Sequence, residues 1–488
     1  MEIDDARYYD ALKARDRRFD GRFFVGVSTT GIYCRPVCTA RMPRRDSVTF
    51  YGTAAAAEGA GFRPCLRCRP EIAPGVAAGV APVDASRAAA RWAAARIEEG
   101  ALNDGDLEQL AARYGISSRQ LRRVVESEYG VTPVELAQTR RLLLAKHLLT
   151  DSALPMAQVA QASGFASVRR FNHLFKQRYR LTPAGMRRKR GEGAATDAIT
   201  LKLGYRPPLD WNRLLAFLTG RGAAGVEIVH EGAYLRTVTL GAHRGWLRAQ
   251  PIVGEHAIRV ELSASLLPVL TPVLARVRRL FDLDATPQVI EDHLARDPRM
   301  KPIVRAQAGL RVPGAFDGFE LALRAVLGQQ VTVKAATTLF GRFAAAYGEP
   351  AVTPYEGLKF HAPDVQRIAR APVEKLIKLG LTGKRAQTVS LLAREVASGR
   401  LKLEPGAPVE QTMAQMQDIP GIGPWTAQYV AMRALGAPDA FPAGDLALRR
   451  ALGGVDAREA ARRAEAWRPW RAYAAMHLWT SLTEGDTP

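Results

Sequence analysis

The 488-residue sequence predicts a multidomain, mainly α-helical protein. Its expected parts are a small four-cysteine zinc α+β domain, an all-α double helix-turn-helix, an antiparallel α+β domain, and helical lobes built around a helix-hairpin-helix. Three observations carry that prediction. All four cysteines fall before residue 70, in two tight pairs. A helix-turn-helix pattern recurs at a spacing of about fifty residues. From Pro287 onward the apolar periodicity is helical, whereas strand alternation is clearest at 234–240 and 257–262.

Composition narrows the function. Sixty-nine Lys and Arg against 48 Asp and Glu leave a formal charge of +21, and both halves of the chain share the excess. That balance favours a polyanionic partner, although an Arg-rich composition without a nucleic-acid role is the plain alternative. No run approaches eighteen apolar residues, so a membrane-spanning protein is not expected. The acidic start, Met1-Glu2-Ile3-Asp4-Asp5, has no apolar segment behind it, so no secretory signal is expected and the thiols should stay reduced. The expected location is cytoplasmic.

Cys34-Arg-Pro-Val-Cys38 and Cys65-Leu-Arg-Cys68 supply four soft ligands within residues 1–71, the donor set that suits one tetrahedral zinc. A purely structural metal is the bland reading. Arg35, Arg41, Arg44, Arg45, Arg63, Arg67 and Arg69 surround the ligands in sequence and press against it. The stretch Phe19-Asp20-Gly21, Thr29-Thr30-Gly31-Ile32-Tyr33-Cys34-Arg35-Pro36, Cys38, Ala40-Arg41 and Gly61-Phe62-Arg63-Pro64-Cys65…Cys68 resembles the metal-binding domain of the Ada methylation-damage sensors. That resemblance implies that Cys34 accepts a methyl group from a DNA methylphosphotriester. Four thiolates on zinc carry a net charge of −2, and methylating one leaves −1, which weakens repulsion of the DNA backbone.

Residues 72–86 are rich in Ala, Gly and Pro and read as a linker; 187–198 reads as a second hinge. Between them, in 87–190, Leu110-Ala111…Gly115-Ile116…Ser118…Leu121…Val125…Tyr129…Thr132-Pro133 is echoed by Val159-Ala160…Gly164-Phe165…Ser167…Phe171…Phe175…Tyr179…Thr182-Pro183. The echo is read with a one-residue insertion just after Ser167, and the serines as N-caps of the second helix of each unit. Those helices carry Arg119, Arg122 and Arg123, and Arg169, Arg170 and Asn172, residue types that read base edges in the major groove. A merely solvated Arg-rich face is the alternative. The second unit resembles the AraC family, with Arg180 where that family usually has Gly and Gly185-Met186 in place of the usual aromatic. The resemblance implies promoter DNA as a target and RNA polymerase as a partner. Two reading units in one chain fit a monomer.

Residues 198–285 read as the antiparallel α+β domain and 286–488 as the helical lobes. Ile419-Pro420-Gly421-Ile422-Gly423-Pro424-Trp425 lies between two expected helices, and its glycines, Gly421 and Gly423, permit a hairpin whose N–H groups face a DNA phosphate. Phe441-Pro442-Ala443-Gly444-Asp445 opens another helix, where Asp445 alone would read as an N-cap. With Leu209-Asp210-Trp211, Arg324-Ala325-Val326-Leu327-Gly328-Gln329 and Tyr473…His477-Leu478-Trp479, this half resembles the helix-hairpin-helix DNA glycosylases of the AlkA type.

The resemblance implies excision of alkylated bases such as 3-methyladenine from double-stranded DNA. It makes Asp445 the catalytic carboxylate, Trp425, Tyr429 and Trp479 the base pocket, and Gln330 the wedge that fills the gap left by the extruded nucleotide. It also implies a monovalent cation on the main-chain carbonyls of Gln417, Ile419 and Ile422. A base alkylated on a ring nitrogen is cationic and already a good leaving group, so aromatic faces and one carboxylate suffice. Trp425 stands where relatives that cut the strand place a lysine, so strand cleavage is not expected. No cysteine beyond residue 68 could hold an iron–sulfur cluster, or accept a methyl group from alkylated guanine. The alternative function is a transcription activator of the alkylation response whose glycosylase-like half only binds DNA.

Overall fold

The computed structural model describes residues 5–75, 85–103, 105–187 and 197–485. Most of the expected linker, and most of the hinge at 187–198, lie outside the described residues. The chain divides into two compact units, the first made of 1–77, 82–207 and 251–275, the second mainly of 208–250 and 276–488.

The first unit opens with α1 (Asp5–Lys13), then β1 (Phe24–Val27), β2 (Ile32–Cys34), β3 (Val48–Tyr51), α2 (Ala54–Gly59) and β4 (Arg63–Pro64). The strands form a sheet in the order β3-β1-β2-β4, with β2 and β4 parallel. Tyr8, Phe23, Val25 and Phe50 make its small core, in which Tyr8 stacks on Phe23 at 4.3 Å.

Next come α3 (Ala85–Glu98), α4 (Leu107–Tyr114), α5 (Ser118–Tyr129), α6 (Pro133–Asp151), α7 (Met156–Ala162), α8 (Val168–Tyr179) and α9 (Pro183–Met186). Two helix-turn-helix pairs, α4–α5 and α7–α8, thus flank the long α6. The N-caps of α5 and α8 are Ser117 and Ser167. This corrects the expected register. Ser117, not Ser118, matches Ser167, and the extra residue sits in the second turn, where Gly164-Phe165-Ala166 precedes the cap and Gly115-Ile116 precedes the other. From cap to Tyr129 and Tyr179 the helices match without a gap. Arg180 ends α8 at φ +54°, in the left-handed conformation that its family's usual Gly adopts more readily.

The antiparallel pair β5 (Ala198–Gly204) and β9 (Ala257–Ser263) completes the first unit, pairing Lys202 with Arg259. Strands β6 (Glu227–His230), β7 (Ala233–Leu240) and β8 (His243–Pro251), a meander, follow α10 (Trp211–Gly220) in the second unit. So 198–285 contributes strands to both units. The helices of the second unit that bear on its site are α14 (Gly318–Leu327), α15 (Val333–Tyr347), α18 (Gly383–Ala397), α19 (Val409–Gln417), α20 (Pro424–Arg433), α21 (Leu446–Ala451) and α23 (Arg471–Gly485), numbered in the full chain order in which α11 (Leu270–Leu280), α12 (Pro287–Leu294), α13 (Met300–Ala306), α16 (Val365–Ala369), α17 (Val373–Lys378) and α22 (Ala457–Ala464) fill the gaps. Two buried apolar clusters organise it. One gathers α14, α15 and α18 with Ile419 and Ile422; the other gathers α21 and α23 around Trp467 and Trp470. Met413 packs against both.

Candidate functional site

In the first unit, β2 carries Cys34 at its end, and the parallel pairing of β4 lets Tyr33 O accept the Cys65 N–H at 3.0 Å. A tight turn in which Cys38 N–H meets Arg35 O at 3.1 Å folds the first pair back. The four sulfurs consequently lie within 4.8 Å of one another, close enough to share one tetrahedral ion. Cys38 and Cys65 are buried, Cys34 and Cys68 half-buried. The sulfur of Cys68 also accepts the Arg35 N–H at 3.3 Å, a contact that suits a thiolate. The donor set and its spacing fit zinc, which would hold the thiols deprotonated and the small domain folded.

The seven arginines divide. Arg35 is buried, its guanidinium paired to both oxygens of Asp20, and Arg69 is paired to Glu71 and Asp151. Arg45 meets Asp5 and lies over Tyr9. Arg35 and Arg45 are thus engaged within the domain, and Arg69 links it to α6. Arg41, Arg44, Arg63 and Arg67 have no carboxylate partner among the described residues and are free to meet phosphate.

A buried carboxyl that sequence reasoning missed ties this domain to the reader. Glu58 on α2, 3 % exposed, accepts from Tyr33 at 3.0 Å, Tyr179 at 3.1 Å and Thr139 at 3.0 Å. Burial pushes it up to about 7, against those three hydrogen bonds and the nearby Arg178. Close by, Lys146 of α6 reaches Glu71 at 2.5 Å. An acidic residue between Ala and Gly gave no sign of this role. On the reader itself Arg119, Arg122, Arg123, Arg169, Arg170 and Asn172 are all exposed, and none of the five arginine side chains has a carboxylate partner among the described residues.

In the second unit the hairpin between α19 and α20 is held by its neighbours. Gly421 has φ +93°, and a Cβ there would lie 2.3 Å from Thr388 Oγ1, the hydroxyl that donates to Pro420 O at 2.7 Å. Gly423 is the N-cap of α20, and no side chain caps that helix, leaving N–H groups for another acceptor. The carbonyl of Ile419 accepts the Ile422 N–H at 3.0 Å, and Gln417 closes α19. Gln329 spans from the turn after α14 to Gly421 O at 2.9 Å and Thr426 Oγ1 at 3.1 Å. Its neighbour Gln330 is exposed at φ +55°, on the same turn.

Asp445 is the N-cap of α21, accepting the Leu448 N–H at 3.0 Å through Oδ1. That is the role its position alone suggested, but it also has a second one. Oδ1 accepts the Trp479 indole N–H at 3.0 Å, and Oδ2 that of Trp425 at 2.8 Å. Tyr429 stacks on Trp425, ring centres 5.4 Å apart and 7° from parallel, and meets Trp479 edge-on at 6.3 Å. Asp445 and the three aromatic residues expected to line the pocket therefore form one cluster. Helix spacing brings Trp425 and Tyr429 onto one face, and only the packing of α23 adds Trp479.

Behind Tyr429, Arg433 donates to its hydroxyl at 2.7 Å and to the carbonyls of Pro313 at 2.7 Å and Gly314 at 3.1 Å. Burial raises the Tyr429 phenol, yet the charges of Arg433, Arg221 and Arg324 outweigh it and bring the net shift down. Arg433, four residues after Tyr429, could have been found from that spacing. His477, two residues before Trp479 in the same matched stretch, is 1 % exposed and faces the Gln307 side chain at 2.9 Å. It is a buried packing residue.

Four family models match the chain: the metal binding domain of Ada over residues 7–71, a helix-turn-helix domain over 110–189, the AlkA N-terminal domain over 200–317, and the HhH-GPD superfamily of base excision DNA repair proteins over 323–471. A Mycobacterium tuberculosis protein, described as a probable bifunctional transcriptional activator/DNA repair enzyme AlkA, is 38% identical over 99% of this chain and 97% of its own. The Escherichia coli DNA-3-methyladenine glycosylase 2 is 39% identical over 59% of this chain and 98% of its own length. The Escherichia coli bifunctional transcriptional activator/DNA repair enzyme Ada is 39% identical over 28% of this chain and 36% of its own. Among solved structures, a 3-methyladenine DNA glycosylase from Archaeoglobus fulgidus shares the fold, with a TM-score of 0.50 at 21% identity over 59% of this chain and 99% of that one. No described helix is long and apolar enough to cross a membrane.

Proposed function

The chain belongs to the family of bifunctional transcriptional activator/DNA repair enzymes that join an Ada-type front to an AlkA-type DNA-3-methyladenine glycosylase, and from that premise we propose how its own residues do the work. Asp445 is the carboxylate of base excision. As the N-glycosidic bond breaks, its electron pair passes to the alkylated base, which leaves neutral, and positive charge develops on the sugar. Asp445 stabilises that charge and orients the water that adds to the sugar carbon. Trp425, Tyr429 and Trp479 receive the extruded base, whose cationic ring gains about 0.5–2 kcal/mol on an aromatic face. Gln330, exposed on its turn, fills the vacated stack. Gly421 and Gly423 present the hairpin to the backbone, with the carbonyls of Gln417, Ile419 and Ile422 available to a monovalent cation.

One observation carries this reading: two indoles from different helices donate to opposite oxygens of one carboxylate beside a stacked tyrosine. Asp445→Asn in the full chain should abolish release of 3-methyladenine from alkylated DNA while DNA affinity stays within about threefold. A variant that still releases the base at the normal rate refutes the assignment. Wild-type protein that binds DNA and releases nothing would return the regulator-only alternative.

At the front end, the Cys34 sulfur attacks the methyl carbon of a phosphotriester; the S–C bond forms, the C–O bond breaks, and a phosphodiester anion leaves. Cys34, Cys38, Cys65 and Cys68 would hold the zinc ion, which would keep the attacking sulfur a thiolate. The loss of one negative charge then strengthens promoter binding by Arg119, Arg122, Arg123, Arg169, Arg170 and Asn172. The protein acts as a monomer, engages RNA polymerase, and works at the nucleoid in the bacterial cytoplasm.

A further inference from the structure

Three guanidinium groups stand behind the aromatic cluster, and two are held by acceptors of the protein. Arg324 is paired to Glu227 at 2.6 Å and flanked by Glu320. Arg433 is spent on two carbonyls and the Tyr429 hydroxyl. Arg221, which closes α10, differs. Its guanidinium lies 4.0 Å from the centre of the Phe217 ring, and Arg433 lies 4.9 Å from the same ring. No side-chain hydrogen bond or carboxylate partner engages Arg221 among the described residues. Burial pulls its basicity down, and the Asp445 carboxylate is among the groups that act against that. Arg221 is half-buried next to the base-receiving cluster, and its guanidinium is open to an acceptor that enters the site.

Leaving-group chemistry says what that could be. A base alkylated on a ring nitrogen departs neutral and needs no cation near it. A neutral damaged purine keeps the bond's electron pair as negative charge over its ring nitrogens and any carbonyl oxygen, and that charge must be met before water protonates it. A planar guanidinium presents paired donors to such an edge, and it repels a cationic base.

We propose that Arg221 is a specificity-determining residue of the base site, donating to the acceptor edge of an extruded neutral purine and taking up charge as the glycosidic bond breaks. In the balanced reaction the purine–sugar bond is hydrolysed: water's oxygen goes to the sugar carbon, its proton to the departing base, and Arg221 stays protonated throughout. This role rests on the assignment of Asp445 and its three aromatic neighbours.

The test is single-turnover base release by the full-length protein from two substrates, duplex DNA with one hypoxanthine and alkylated DNA carrying 3-methyladenine. Arg221→Gln should lower hypoxanthine release by about 10²–10³-fold, the loss typical of removing one preorganised donor. It should leave 3-methyladenine release within about threefold or raise it, since a repulsive charge has gone. Arg221→Lys keeps the charge without the fork and should fall between on hypoxanthine, which guards against Gln simply unfolding the site. Equal losses on both substrates, or wild-type protein that releases 3-methyladenine but no hypoxanthine, overturn the proposal. Asp445→Asn should abolish both releases; if it does not, the underlying site assignment has failed, whatever the Arg221 variants do.

Discussion

Replacing Glu58 by Gln should make the first unit more stable at alkaline pH. The carboxyl sits at the meeting of α2, α6 and α8, 3 % exposed, with two phenols donating to Oε1 and Thr139 donating to Oε2. Burial holds it at about 7, compared with an ordinary value of 4.5. As pH rises past 4.5 the unfolded chain gives up this proton while the folded unit keeps it, so folding loses stability up to pH 7 and the loss is complete above that. A shift of about 2.5 units corresponds to about 3 kcal/mol. Gln presents one oxygen to both phenols and an amide to Thr139, so it retains the contacts and removes the titration. The variant should gain up to about 3 kcal/mol over wild type at pH 8 and nothing near pH 4.5. Amide exchange read on peptides of α2, α6 and α8 isolates this unit from the rest of the chain, where one global unfolding transition would not. A gap between variant and wild type that stays constant from pH 4.5 to 8 would refute the reasoning, because it would show that ionisation at Glu58 plays no part.

Other perturbations probe the remaining sites. Cys34→Ala should still bind promoter DNA weakly but show no gain in affinity after exposure to methylphosphotriester DNA, as measured by fluorescence anisotropy. Gly421→Ala forces a Cβ against Thr388 Oγ1 at a positive φ, and should cost about 1–3 kcal/mol locally. It should weaken binding to undamaged duplex, read as a raised Kd over a salt series. Burial draws His477 down to about 4, so folding stability in the second unit should fall as pH drops through 6.5 towards 4, by about 3 kcal/mol in full. His477→Gln should flatten that acid-side loss in a series of melting temperatures.

Much of the candidate site could be read along the chain because its signals are local. The four ligands lie in two short pairs, Trp425 and Tyr429 sit one helical turn apart, and the glycines of the hairpin stand two residues apart in one turn. The register of the duplicated reader was harder. Ser117 and Ser118 both suit an N-cap, and only the observed hydrogen bond from Gln120 N–H to Ser117 at 3.2 Å selects between them. The ring of arginines beside the cysteines was misleading for a related reason. Sequence proximity does not distinguish Arg35 and Arg69, bound to carboxylates, from Arg41 and Arg67, which have none among the described residues.

The sequence by itself determined the order of the matched regions, the two cysteine pairs and the two helix-turn-helix units, since each is written in spacings of a few residues that backbone geometry converts directly into a shared face or turn, whereas Asp445 by spacing alone read only as an N-cap. Tertiary structure alone decided that Trp479, 34 residues beyond Asp445, closes the carboxylate from the other side. It also decided that Glu58 joins three helices and that Arg221 is left without an acceptor among the described residues. Such facts depend on which buried polar groups find partners when distant segments pack, and desolvation acts on the assembled interior rather than on any stretch of chain.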